Sequence, residues 1–184
     1  MEIMKSNKSR IVALCILFVL PISGGCMSFF KDVANIATKG GDVVTFSAVE
    51  GVVTYEGKPV ANAKIIRRVE DKDNNSEDDF ATTDEKGYFS MPSRYGNSDS
   101  VFQEVFAWQY MYVELEGEQK RIWYHVKHVK DEHGELEGTP IFLLCELTNE
   151  KRIWEPSPYG RRVISICDLK DFQGIDVNKE LDND

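Results

Sequence analysis

Apolar residues recur at every second position from residue 48 onward. Val49, Gly51, Val53 and Tyr55 alternate with Ala48, Glu50, Val52 and Thr54, the pattern of a strand with one buried face. Glu56-Gly57-Lys58-Pro59 then supplies a turn, because glycine accepts positive φ and proline fixes φ near the turn value. A second strand is expected over 63–69, with Ala63, Ile65, Arg67 and Val69 on one side and Lys64, Ile66 and Arg68 on the other. Residues 70–79 hold almost nothing apolar and read as an exposed loop. Residues 80–83 return to strand, 84–87 make a tight turn, and 88–92 run back as the hairpin partner. Longer strands follow over 101–116, 119–129, 141–148 and 163–169, separated by Gly117, by 131–138 and by Pro156-Ser157-Pro158-Tyr159-Gly160.

Before and after this region the pattern changes. Phe29, Val33, Ile36 and Ala37 stand at helical spacing and Lys39-Gly40-Gly41-Asp42 breaks them, so 26–46 reads as a short helical leader and a tether. Residues 173–184 are polar and acidic, the composition of a frayed tail. With no other helical period, the expected class is all-β, a β-sandwich over 47–172.

Residues 1–25 have the three-part layout of a secretory signal. Lys5, Lys8 and Arg10 precede an apolar run from Ile11 that ends at Pro21, followed by Ile22-Ser23-Gly24-Gly25-Cys26. The run is too short to span a bilayer. Small residues leading directly into a cysteine resemble the lipobox of bacterial lipoproteins. That resemblance implies cleavage before Cys26, acylation of Cys26 (palmitate among its chains), and, with Met27 rather than Asp after it, attachment to the periplasmic face of the outer membrane. More than one acyl chain gives a stable tether.

The 184-residue chain carries a formal charge of −9. From Cys26 onward, 19 basic side chains face 30 acidic ones, a formal −11. Such a balance argues against nucleic acid and against adhesion to anionic lipid, both of which call for clustered Lys and Arg. With Cys15 in the signal and Cys26 lipidated, Cys145 and Cys167 remain in the folded part. In an oxidising compartment they form either a disulfide, adding on the order of 3 kcal/mol by loop closure, or two buried thiols.

Gly51-Val52-Val53-Thr54-Tyr55-Glu56-Gly57-Lys58-Pro59-Val60-Ala61-Asn62-Ala63, followed by Ala81-Thr82-Thr83-Asp84-Glu85-Lys86-Gly87-Tyr88-Phe89, resembles the carboxypeptidase regulatory-like module. The resemblance implies a transthyretin-like, Ig-like β-sandwich and brings no catalytic residue, since fold does not fix function. The later stretches Trp108-Gln109-Tyr110-Met111-Tyr112 and Arg121-Ile122-Trp123-Tyr124-His125 resemble small lipoproteins of Gram-negative bacteria. Some of those are similar to immunity proteins for type VI secretion effectors.

Candidate chemistry is sparse. Asp71, Asp73, Asn75, Glu77 and Asp79 alternate like a calcium loop, but Ser76 and Thr82 stand where glycine and glutamate belong. His125 and His128 fall on opposite faces of a strand and cannot readily share a metal. No metal site, cofactor or catalytic group is expected. Trp108, Tyr110 and Tyr112 share one strand face, as do Arg121, Trp123 and His125. Such rows either line the inside of the sandwich, the favoured reading, or form a binding platform.

The expected function is a lipid-anchored periplasmic binding protein, not an enzyme, that occludes a partner protein. Its most concrete form is an immunity protein against a type VI effector, contacting it through Asp71, Asp73, Glu77, Asp78, Asp79, Trp108 and Trp123. The alternative is an envelope-associated structural lipoprotein binding glycan or an assembly partner through its tryptophans.

Overall fold

The computed structural model describes residues 42–97, 105–156 and 160–177. The expected signal peptide, Cys26, the segment expected as a helical leader and the last seven residues lie outside them, as does the start of the strand expected from residue 101. Among the described residues there are fourteen strands and one 3₁₀ turn, and no helix is long and apolar enough to cross a membrane.

In chain order the strands are β1 Asp42–Phe46, β2 Val49–Tyr55, β3 Lys58–Pro59, β4 Lys64–Glu70, β5 Ser76–Thr82, β6 Tyr88–Met91, β7 Arg94–Asn97, β8 Ala107–Leu115, β9 Glu118–Lys127, β10 Ile141–Glu146, β11 Arg152–Glu155, β12 Val163–Ser165, β13 Asp168–Leu169 and β14 Ile175–Asp176. The large sheet has seven strands in the order β14-β11-β12-β9-β8-β4-β5. A five-stranded sheet is built on β2, with β10 and then β13 on one side and β6 and β3 on the other; β1 and β7 form a separate pair. Among the described residues every ladder is antiparallel except β2–β10. The fold is all-β, two sheets packed as a sandwich.

Alternation builds the core. Val49 and Val53 of β2, Phe89 and Met91 of β6, and Ile141, Leu143 and Cys145 of β10 meet Ile65, Met111, Val113 and Trp123 of the large sheet. Gly51 is needed because an added Cβ would lie 2.7 Å from both the Leu143 carbonyl and the Phe89 ring. Gly87 (φ 75°) lets its carbonyl accept from Val53 N, and a Cβ there would meet the Val53 carbonyl at 2.3 Å. The Thr83-Asp84 pair is a lock as well as a turn. Buried Thr83 Oγ1 donates to the Val60 carbonyl (2.7 Å) and accepts from Ala63 N (2.8 Å), while Asp84 Oδ1 accepts from Lys86 N and Tyr88 N.

Cys145 and Cys167 are bonded. Cys167 lies between β12 of the large sheet and β13 of the small one, so the disulfide staples β10 to the point where the chain crosses between layers. The 22-residue separation corresponds to about 3 kcal/mol by loop closure.

The structure differs from the expectations in five places. The acidic loop is much shorter than 70–79, because Ser76–Thr82 is strand β5, aligned with all of β4. Residues 80–83 and 88–92 are not a hairpin: β6 pairs with β2 in the opposite sheet, and the turn at 84–87 carries the chain across the sandwich. Residues 42–46, expected as tether, form β1, with Val43 and Val44 buried and Phe46 fully buried in the core. Within the expected tail, Ile175 and Asp176 pair with β11. The expected strand over 163–169 splits at Ile166 and Cys167 into β12 and β13.

Candidate functional site

A sixth difference creates a surface. On β8, Ala107, Gln109, Met111 and Val113 are buried, so Trp108, Tyr110 and Tyr112 face away from the core. The favoured inward reading of that aromatic row is wrong, and the reason lies in the small and apolar residues of the other parity. Across the sheet Tyr110 stands opposite Arg68 on one side and Tyr124 on the other. Tyr112 stands between Ile66 and Arg121, and Phe80 of β5 continues the row beyond Ile66. The rings of Tyr110 and Tyr124 are 5.2 Å apart, those of Tyr110 and Tyr112 lie 16° from parallel at 6.5 Å, and the Arg121 guanidinium sits 5.6 Å over Tyr124. Four half-buried aromatics and two arginines thus form one continuous platform. Burial among its neighbours raises the Tyr110 hydroxyl above the ordinary tyrosine range, so it stays a neutral donor at physiological pH.

The second row does not hold together. A β-bulge at Ile122 puts two residues of β9 against one step of β8, pairing Tyr112 with Arg121 but Met111 with Trp123. Arg121 therefore joins the outer platform, while Trp123 and His125 turn inward, and Trp123 is fully buried. Trp123, chosen as a contact residue, is a core residue against Phe46 and Gln109.

The acidic residues expected at the contact are largely neutralised by arginines of β4 and β7. Asp78 takes two bonds from Arg68, both 2.8 Å, and Asp79 takes two from Arg67 at 2.9 and 2.5 Å. Glu77 is bound by Arg94. The hydrogen bonds from Arg68 hold the Asp78 carboxyl below its usual range. Asp71 Oδ1 accepts from Asp73 N and Asn75 N and Oδ2 from the Asn75 amide, which makes the tip a self-satisfied Asx turn. Asp73 is exposed and paired with Lys72.

A polar centre escaped the sequence reading altogether. Ser47, Gln109, Lys127 and Glu135 are each at most 1% exposed. Glu135 Oε1 accepts from Ser47 N (2.9 Å) and Gln109 Nε2 (2.7 Å); its Oε2 accepts from Ser47 Oγ (2.6 Å) and Lys127 Nζ (2.7 Å). Lys127 also donates to the Asp131 carbonyl and to Ser47 Oγ, which uses all three of its protons. Burial pushes the Glu135 carboxyl up, but the Lys127 ammonium and these hydrogen bonds bring it below its usual range. Neighbouring Glu132 accepts from Ala48 N and Ser93 Oγ. Two carboxylates of one loop therefore hold consecutive N–H groups at the β1–β2 corner. The 3₁₀ turn Gly134–Leu136 that aims Glu135 inward is flanked by left-handed His133 (φ 58°) and Glu137 (φ 51°).

Beside this centre His125 is driven down to about 4 by burial, only partly opposed by its bond to the Arg162 carbonyl. A cleft of about 280 Å³ above it is lined by His125, His128, Glu135 and Arg161 among others. Among the described residues no three His, Cys, Asp or Glu side chains converge to hold a metal ion.

Fold and surface together define an all-β sandwich with an aromatic and arginine platform on one outer face and a fully buried ionic centre beneath the other face of the same sheet. Residues 49–150, more than half the chain, match the family described as Domain of unknown function (DUF6795), and the chain belongs to that family. The match takes in the whole platform and Gln109, Lys127 and Glu135, while Ser47, Cys167 and β11–β14 fall outside it. Neither a curated protein nor a solved structure matches the chain.

Proposed function

We propose that this is a binding protein of the bacterial envelope, tethered through acylated Cys26, that works by docking on a partner protein and occluding it. An immunity protein against a periplasm-directed effector is its most concrete form. The observation that carries the reading is the platform of Trp108, Tyr110, Tyr112 and Tyr124 with Arg68 and Arg121, because Trp, Tyr and Arg are the residue types that dominate binding hot spots. Tyrosine and tryptophan bring a large apolar area at small entropic cost and a polar edge that pairs at the rim. The contact surface moves from the acidic hairpin tip, whose charges are paired at home, to this sheet face.

Photo-crosslinking in the envelope tests the reading. A benzoyl-phenylalanine replacing Tyr110 or Tyr112 in the full chain is expected to give one discrete protein adduct. The same probe replacing Leu144, 42% exposed on the small sheet, gives none. Adducts of equal yield from both faces, or from neither, would contradict it.

A further inference from the structure

Sheet edges are normally guarded, by net charge, by proline, by a bulge or by cover, because a free row of N–H and C=O groups is a template for another strand. β5 is the outermost strand of the large sheet, and its seven residues run beside β4 without a register shift or a proline. Thr83 N donates to the Ala63 carbonyl and Asn62 N to the Thr83 carbonyl, so Thr83 turns its backbone groups toward β4. By strand alternation Ala81, Asp79 and Glu77 do the same, and the N–H and C=O groups of Asp78, Phe80 and Thr82 point off the edge. No strand among the described residues pairs with them. The usual charge guard is cancelled, since Arg68, Arg67 and Arg94 bind Asp78, Asp79 and Glu77. In the middle of this edge Phe80 is 56% exposed.

We infer that β5 pairs with β5 of a second copy of the chain, antiparallel and centred on Phe80, joining two large sheets into one. The sequence of the strand selects both occupant and register. Ser76–Thr82 is acidic in its first half and neutral in its second. An antiparallel partner of the same sequence centred on Phe80 sets Asp78 against Thr82 and Asp79 against Ala81, acidic half on neutral half. Centring on Asp78 or Asp79 instead places a carboxylate against its own copy, which is unfavourable. The chosen register stacks one Phe80 on the other at the dyad and makes about six inter-chain backbone hydrogen bonds through the three outward-facing residues. The interface is isologous and closes at two copies. It adjoins the platform only at Phe80, the end of that row, and does not depend on the partner reading.

The test uses the full chain expressed in a bacterial envelope and analysed on non-reducing gels. At a hydrogen-bonded antiparallel pair the Cα atoms are about 5.5 Å apart, a span a disulfide bridges. Phe80→Cys is therefore expected to give a reducible dimer absent from the wild type, and Asp73→Cys, in the exposed tip, is not. Sedimentation equilibrium of the detergent-solubilised wild type should show its protein mass doubling with concentration. Phe80→Lys stays at single-chain mass with its thermal transition retained. Thr82→Pro gives the same result, because the proton it removes faces off the edge and the β4 ladder stays whole. A wild type that keeps single-chain mass throughout the range, or Asp73→Cys cross-linking as readily as Phe80→Cys, overturns the inference.

Discussion

Two ionic regions on the large sheet have nearly the same chemistry and opposite physical meaning. In the β4–β5 hairpin, Arg67 and Arg68 grip Asp79 and Asp78 across adjacent strands, within twelve residues of sequence and with both carboxylates open to water. At the centre, Lys127 and Glu135 meet with both side chains at 0% exposure and draw in Ser47 and Gln109, 88 and 26 residues from Glu135. Water can replace an exposed partner and cannot replace a buried one. The hairpin pairs mainly set local register and mask charge, whereas the centre fixes the β1–β2 corner against β8, β9 and the loop after β9.

The comparison is most severely tested at Glu135. Replacing it with Leu leaves Lys127 charged and buried and orphans the donors of Ser47 and Gln109, so a loss of about 4 kcal/mol or more is expected in urea unfolding. A loss under about 1 kcal/mol would make the centre no stronger than a surface pair.

The next effect is on pH. His125 titrates near 4 in the folded protein and at about 6.5 unfolded, so the unfolded chain binds the extra proton first as pH falls. Stability is therefore full above pH 6.5, declines by up to about 3 kcal/mol between pH 6.5 and 4, and is not lowered further by this group below that. His125→Gln should flatten that interval in a series of denaturation midpoints. Glu146 adds a separate acid limb: bonds from Gly57 N, Thr148 and Thr54 hold it to about 2. Its contribution is present above its unfolded range near pH 4.5 and is lost from there toward pH 2.

In the hairpin the expected losses are smaller. Arg67 is itself buried and also donates to the Pro92 carbonyl, so Arg67→Met should cost about 2 kcal/mol. Arg68→Ala, at an exposed pair, should cost less than about 0.5 kcal/mol and vanish into noise at high salt. Equal losses at the two arginines would show that burial does not separate them.

What could be read from the chain follows the same division. Alternation located β2, β4, β8, β9 and β10, because period-two burial is written locally, and the two cysteines left for the folded part, expected in an oxidising compartment, pointed to the disulfide. Composition failed at Glu77-Asp78-Asp79, since an acidic run looks like a loop until Arg67 and Arg68 are known to lie opposite it. Parity placed Trp108, Tyr110 and Tyr112 on one face but could not say which one. Gln109 between Ala107 and Met111 was the available clue, a polar residue in an otherwise small and apolar row that signals a buried partner. The bulge at Ile122, which sends Arg121 outward and Trp123 inward, has no sequence signature. The Lys127–Glu135 centre draws on four separated segments and becomes visible only when the chain is folded.

The proposed work of the platform is contact and that of the centre is scaffolding, and a single paired titration separates them. The protein cross-linked through Tyr110 is purified and its affinity measured against the wild type and Tyr110→Ala/Tyr112→Ala, with unfolding midpoints taken on the same samples. Loss of tenfold or more in affinity with an unchanged midpoint is expected, since truncated hot-spot aromatics cost about 1–2 kcal/mol or more each. Affinity unchanged in the double variant, or lost only in step with the midpoint, would contradict the assignment of that face to the partner.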